Sequence, residues 1–146
     1  MTGLDPILIG VTILLASGAI GVTAMLSAKT RPAFVYAQLV LMAGIYVGFA
    51  IAAIDAKDIA LRADWSALVI EVLIALGFVF LGLAVMTGSR PWLLGVMMLA
   101  HGGIDLAHLL MGAALSPDWY AYLCVIYDGV VGVGAVWLLS KPLQKN

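Results

Sequence analysis

The chain has 146 residues, of which 64% are hydrophobic and only 10% are charged, and its mean hydropathy is +1.15. In a soluble domain roughly a quarter of all residues are charged, and these residues cover its surface. The low charged fraction of this chain therefore excludes a water-soluble globular protein. The composition also excludes a disordered chain, which needs low hydrophobicity. The net charge of −1 offers no basic face, so no nucleic-acid partner is expected. The single cysteine, Cys124, excludes an internal disulfide. The composition therefore indicates an integral membrane protein surrounded by lipids.

Five apolar runs follow one another along the chain, and each is long enough to cross a bilayer, for which a helix needs about 20 residues. They cover residues 6–27, 33–54, 65–87, 91–113 and 119–140. These runs are longer than a typical β-strand. A helix is also the structure that satisfies its own backbone hydrogen bonds in lipid. The first run lacks the positive start of a signal peptide, so we interpret it as a retained helix. The sequence thus predicts an all-α, single-domain integral membrane bundle of five transmembrane helices.

The charges between these runs separate onto two sides of the membrane. One side carries cations and no acid: Lys29, Arg31, Arg90, Lys141 and Lys145. The other carries five aspartates with only two cations: Asp5, Asp55, Asp58, Asp64 and Asp118, with Lys57 and Arg62. Cytoplasmic loops are enriched in Lys and Arg, so the first side is predicted to be cytoplasmic. The N-terminus is then outside and the C-terminus is cytoplasmic, as five crossings require.

Ionisable residues inside the predicted spans are the main functional signal. Three acids lie there, Glu71, Asp105 and Asp128, together with both histidines, His101 and His108. A charged side chain at the centre of a membrane helix costs about 2.5–3.5 kcal/mol on insertion scales. Such residues usually face the bundle interior and mark function. We therefore expect these side chains to face one another rather than the lipid.

The depth of these residues predicts a shared polar layer. Counted from the outer helix ends at about 1.5 Å per residue, six polar groups lie about 8–14 Å deep. They are Tyr46, Glu71, Asp105, His108, Cys124 and Asp128. The same count places His101 deeper, near the midplane. Four helices would therefore contribute to one layer in the outer half of the membrane.

Helical spacing predicts the direction in which these groups point. His101, Asp105 and His108 follow i, i+4, i+7 spacing and share one face of the fourth helix. Cys124 and Asp128 are four residues apart and share a face of the fifth helix. The simplest arrangement turns these two faces toward each other, and the rest of the layer closes the ring.

A mixed set of nitrogen, oxygen and sulfur groups suits a divalent metal such as zinc. We expect Asp105, His108 and Asp128 to be the ligands, because the two histidines are about 10 Å apart along the helix. In metal-assisted hydrolysis of a lipid-like substrate, Asp128 would be a ligand or general base and Glu71 a proton carrier. Four further residues are expected to contact the bound ligand: Tyr46, His101, Cys124 and Tyr127.

Two other classes of function stay open at this point. One is a non-enzymatic membrane subunit or a binder of a lipid, quinone or pigment, in which the polar layer specifies helix packing. The other is a proton- or cation-coupled carrier. The predicted inner half is nearly all apolar, with Gln38 among its few polar groups, which argues against a continuous path. A homo-oligomer or a partner in a membrane complex is compatible with every class.

Two motifs carry a resemblance to a known family. They are His101-Gly102-Gly103-Ile104-Asp105-Leu106-Ala107-His108 and Cys124-Val125-Ile126-Tyr127-Asp128. This pattern resembles an uncharacterised family of small bacterial polytopic membrane proteins with H-T-G-W-D-x-x-H-H and C-x-x-C-D motifs. The likeness also touches residues 43–46, and the chain departs from the pattern at Gly102, Ile104, Leu109 and Tyr127. The resemblance implies a multi-pass protein of the bacterial cytoplasmic (inner) membrane and supplies no activity.

Overall fold

Five helices form the part of the protein that the computed structural model describes, namely residues 5–55, 65–112 and 116–140. They are α1 (Pro6–Met25), α2 (Arg31–Asp55), α3 (Trp65–Thr87), α4 (Leu93–Met111) and α5 (Asp118–Leu139). No strand occurs within these ranges. Each helix is long and apolar enough to cross a membrane. The predicted all-α bundle of five membrane-spanning helices is therefore confirmed, while its orientation in the membrane stays a prediction.

Some charged residues that the topology prediction used lie outside the described residues. They are Lys57, Asp58, Arg62, Asp64, Lys141 and Lys145. Among the described ones, Asp5 and Asp118 lie at one end of the bundle, next to the start of α1 and of α5. Lys29, Arg31 and Arg90 lie at the other end, in or beside the α1–α2 and α3–α4 turns. The described charges are thus separated along the bundle as the sequence predicts.

The helix ends follow local capping chemistry. The Asp5 carboxylate accepts a hydrogen bond from the Ile7 backbone N–H at 2.8 Å, which caps α1. The Arg31 guanidinium donates to two carbonyl oxygens at the end of α1, at 3.1 and 2.8 Å, and so closes the turn into α2. At the far end of α4, Gly112 adopts a left-handed φ of 63°, and this ends the helix before the predicted residue 113.

The closest helix contact joins α4 and α5. A Cβ added at Gly95 would lie 2.5 Å from the backbone nitrogen of Val136, and one added at Gly132 would lie 2.7 Å from Leu99. Small residues at such positions let two helix backbones approach closely in a membrane. These glycines therefore fix the register of α5 along α4, and that register decides which polar residues meet.

The other helices surround this pair. α1 packs mainly against α5, where Ile20 lies over Gly134, and α2 packs mainly against α3. The Tyr36 hydroxyl donates to the carbonyl oxygen of Val79 at 3.0 Å and links α2 to α3. α2 also contacts α1, α4 and α5. Because α2 contacts all four other helices, its side chains can reach the interior of the bundle.

Apolar side chains fill the interior from the predicted cytoplasmic end to the middle of the bundle. One buried cluster includes Val35, Leu94 and Leu139, near the helix ends on that side. A second cluster lies further along the same helices: Ala16, Leu39, Ala43, Phe78, Met98 and Val131. Beyond it the interior becomes polar within one turn, from Met98 to His101 on α4 and from Val131 to Asp128 on α5. The polar layer therefore lies next to a largely apolar inner half of the bundle.

Candidate functional site

The centre of the polar layer is a buried contact between α4 and α5. His101 Nδ1 and Asp128 Oδ2 lie 2.8 Å apart, and both side chains are buried. A Cβ added at Gly102 would lie 3.0 Å from the Cβ of Asp128. The aspartate therefore lies directly over the α4 backbone, and it reaches His101 because residue 102 has no side chain.

Asp105 adds a second carboxylate to this contact. It lies one turn after His101 on α4, and its Oδ2 is 3.6 Å from His101 Nδ1. One ligand atom each from His101, Asp105 and Asp128 lie within 4.8 Å of one another. Asp105 Oδ2 and Asp128 Oδ1 are both buried and have no hydrogen-bond partner among the described residues. Because a buried carboxylate without a partner is costly, these two oxygens are candidate ligands for a cation.

The dimensions of the three-residue cluster suit a zinc-sized ion. Zinc bonds of about 2.0–2.1 Å in tetrahedral geometry place neighbouring ligand atoms about 3.3 Å apart. His101 Nδ1 lies 2.8 Å from Asp128 Oδ2 and 3.6 Å from Asp105 Oδ2, so the two distances lie on either side of this value. One imidazole nitrogen with two carboxylate oxygens is a ligand set that zinc accepts, and a divalent cation balances the two carboxylate charges. His101, Asp105 and Asp128 could therefore hold such an ion.

A second ionisable pair connects α4 to α3. His108 Nε2 lies 3.6 Å from Glu71 Oε1, and both side chains are largely buried. The other ring nitrogen of His108, Nδ1, is buried without a hydrogen-bond partner in the described chain. Glu71 is thus held by His108 and lies outside the three-residue cluster. The pair supplies one acid and one base beside the candidate metal site.

Tyr46 lies between the two groups. Its ring centroid is 5.9 Å from that of His101 and 6.2 Å from that of His108. Its hydroxyl lies next to Asp105 and Ser116. Neither the Tyr46 hydroxyl nor the Ser116 hydroxyl makes a hydrogen bond of ordinary geometry with any described residue, although both are buried. Two buried hydroxyl groups without a hydrogen bond of ordinary geometry therefore lie near the carboxylate cluster.

The structure brings most of the predicted site residues together, with one difference in the metal set. Tyr46, Glu71, Asp105 and Asp128 lie around the two histidines, as the shared depth and helix faces indicate. The three-residue cluster, however, includes His101, where the sequence analysis expected His108. The reason is the α4–α5 register, which places Asp128 over Gly102. His108 lies two turns further along α4 and faces Glu71 instead.

Two residues that were predicted to contact the bound ligand, Cys124 and Tyr127, lie outside the three-residue cluster. Cys124 is buried one turn before Asp128, next to Tyr120, and is not part of the three-residue cluster. The Tyr127 hydroxyl donates to Gln38 Oε1 at 2.8 Å and so links α5 to α2. Tyr127 thus points away from the cluster toward the predicted inner half of the bundle.

Sequence reasoning missed two contributors to the site. Ser116 precedes Pro117 in the α4–α5 connection, and nothing in its local pattern signals a buried hydroxyl. Phe78 is one apolar residue among many on α3, yet its ring packs edge-on against the His101 ring, with the two ring centroids 5.2 Å apart. Both become neighbours of the site only when the helices pack, so a local pattern could not have found them.

No known protein family, curated protein or solved structure matches the chain. The resemblance carried by residues 101–108 and 124–128 therefore stays a prediction.

Proposed function

We propose that this integral membrane protein binds one divalent metal ion, such as zinc, through His101, Asp105 and Asp128. The observation that supports the proposal is a pair of buried carboxylates next to the His101 imidazole, each with one oxygen that has no hydrogen-bond partner among the described residues. A membrane interior offers no water to compensate such groups, so ionisable residues there are expensive and usually functional. A divalent cation would satisfy both carboxylates at once.

The number of ligands favours a catalytic site over a purely structural one. Structural zinc sites usually have four protein ligands, whereas catalytic sites have three and leave one position for water or substrate. The site lies within membrane-spanning helices, where a lipid-like substrate is at hand. We therefore propose metal-assisted hydrolysis of a lipid-like ester as the reaction class.

In that reaction the metal would polarise the carbonyl group and activate a water molecule. The water oxygen forms a bond to the carbonyl carbon, the ester C–O bond breaks, and a proton from the water passes to the leaving alcohol. Glu71 and His108 form a buried acid–base pair outside the ligand set. They are the groups placed to carry this proton, whereas the three ligand side chains hold the ion.

Elemental analysis of gently purified protein tests the metal site. We expect about one zinc or similar divalent ion per chain, because His and carboxylate ligands of this kind bind such ions tightly. Asp105→Ala should lose the metal, whereas Asp118→Ala, which removes an exposed aspartate at the start of α5, should retain it. Protein that stays metal-free after incubation with zinc would overturn the proposal, as would equal metal content in the two variants.

Fatty-acid release from membrane lipid esters by the zinc-loaded protein tests the reaction class. Glu71→Gln should keep its metal and lose about 100-fold or more in rate, the range typical of a proton-transfer group. Zinc-loaded protein that releases no fatty acid from any lipid ester would end the hydrolytic assignment. The metal site would then belong to a non-enzymatic membrane subunit or to a carrier.

One contact supports a second candidate, a cation-coupled carrier. Tyr127 comes directly before Asp128 on α5, and its hydrogen bond to Gln38 extends polar groups from the cluster toward the predicted cytoplasmic end of α2. A transport path needs polar groups on both sides of its central site. Zinc uptake into proteoliposomes that is abolished by Gln38→Leu would favour a carrier, and the absence of uptake would exclude it.

A further inference from the structure

We propose that the hydroxyl groups of Tyr46 and Ser116 form an oxygen-binding subsite, which holds the acyl oxygen of a ligand beside the metal. This inference rests on the metal-binding function proposed above and deepens it. The ligand class is a compound with an acyl oxygen that accepts hydrogen bonds, such as an ester carbonyl or a carboxylate. Neither hydroxyl makes a hydrogen bond of ordinary geometry with a described residue.

The two hydroxyl groups converge from separate parts of the fold. Tyr46 comes from the middle of α2, and Ser116 comes from the connection that leads into α5. Both side chains are more than nine-tenths buried, and the Tyr46 hydroxyl lies next to both Ser116 and Asp105. A buried hydroxyl without a hydrogen bond costs free energy, so these two hydroxyls have donor capacity that a ligand oxygen would use.

Asp105 is the one acidic neighbour of the Tyr46 hydroxyl within the described residues, and the metal set already uses it. Its free oxygen, Oδ2, is also the atom that lies 3.6 Å from His101 Nδ1. With that oxygen on a metal ion, the Tyr46 hydroxyl would lose its neighbouring acceptor. We expect a ligand oxygen bound at the open metal position to take the place of that acceptor.

The Tyr46 side chain is held in place by its ring contacts. Its centroid lies 5.9 Å from that of His101, 6.2 Å from that of His108 and 6.3 Å from that of Tyr120. Aromatic pairs at such distances and tilts are favourable. A donor fixed by its neighbours before the ligand arrives loses little freedom on binding and can stabilise negative charge that develops on an acyl oxygen.

The test uses full-length protein loaded with Co²⁺, whose visible absorption reports on ligands that bind to the metal. The probe is acetohydroxamate, which has acyl-type oxygens, and the comparison probe is imidazole, which binds metals through nitrogen alone. Tyr46→Phe and Ser116→Ala should each weaken acetohydroxamate binding about tenfold, the loss expected for one hydrogen bond to a charged group. Imidazole binding should change less than about twofold, since it needs neither hydroxyl.

Tyr36→Phe serves as the matched control, because the Tyr36 hydroxyl donates to a backbone carbonyl on α3 away from the site. It should bind both probes like the unchanged protein. Equal acetohydroxamate affinity in the unchanged protein, Tyr46→Phe and Ser116→Ala would overturn the subsite, as would an equal loss for both probes. Failure of the unchanged protein to bind Co²⁺ would instead overturn the proposed metal site, so the two failures are distinguishable.

Discussion

His101 Nδ1 and Asp128 Oδ2 lie 2.8 Å apart across the α4–α5 contact, at the point where Gly102 lets the aspartate rest on the α4 backbone. The bond joins two side chains that are 27 residues apart in the sequence. In apolar surroundings it holds the two helices in one register. A metal ion would take the place of the proton in this bond, so the same two atoms would change from a helix contact into ligands.

The two histidines should differ in their importance for metal binding. We expect His101→Gln to lose the metal, because this change removes the only nitrogen of the three-residue cluster. His108→Gln should retain about one ion per chain, since His108 faces Glu71 instead of the cluster. Metal content measured after identical zinc loading decides the matter. Loss of metal in His108→Gln with retention in His101→Gln would show that His108 is the ligand.

Gly102 and Gly103 offer a matched pair of substitutions one residue apart. Gly102→Ala places a methyl group 3.0 Å from the Cβ of Asp128, so the aspartate must shift away from His101. We expect zinc affinity to fall about 10- to 100-fold, the range typical of residues that orient metal ligands. Gly103→Ala should leave affinity within about twofold, because its added Cβ meets nothing within 4 Å.

Competition between the protein and a zinc-sensitive dye gives both affinities. Equal affinities for Gly102→Ala and Gly103→Ala would contradict the close approach of Asp128 to the α4 backbone. Because alanine is a better helix former than glycine, neither substitution is expected to weaken α4 itself.

Glu71 and His108 should be energetically coupled. Each single change, Glu71→Gln and His108→Gln, should lower the free energy of unfolding in micelles, because each leaves a buried partner without its ion pair. The double variant should lose less than the sum of the two, with a coupling of about 0.6 kcal/mol, the average for polar pairs between membrane helices, and at most about 1.7 kcal/mol. Unfolding by a denaturing detergent, followed by circular dichroism, measures all four proteins.

Thr12→Val provides the control for this cycle. Thr12 lies on α1, which makes no contact with α3 in the described structure, so its effect should add to that of Glu71→Gln within about 0.5 kcal/mol. Full additivity for Glu71 and His108 as well would show that the 3.6 Å contact contributes nothing to stability.

The predicted orientation can be tested by cysteine labelling in a Cys124→Ala background. Asp118 and Lys29 are both exposed and lie at opposite ends of the bundle. If positive charges mark the cytoplasmic side, a membrane-impermeant maleimide should label Asp118→Cys in intact bacterial cells. Lys29→Cys should react only after the cells are permeabilised. The reverse pattern would place the N-terminus in the cytoplasm and the polar layer nearer the inner surface.

Much of the polar layer could be predicted from sequence because depth and helix face are local properties. Counting residues along each helix gives depth, and the 3.6-residue period gives direction. These two numbers were enough to group Tyr46, Glu71, Asp105 and Asp128, and the structure brings them together. They were not enough to decide whether His101 or His108 joins the two aspartates, because both histidines share one face of α4 and differ only in their depth in the membrane.

By itself, the sequence determined five membrane-spanning helices, because an apolar run of fixed length must become a helix in lipid whatever its neighbours are. It also determined which ionisable residues are buried among those helices. Only the tertiary structure decided that His101 pairs with Asp128, and that Ser116 and Tyr46 lie side by side. The physical reason is that helix register depends on close contacts between distant glycines, such as Gly95 and Gly132, and no property of a single helix encodes which of these contacts will form.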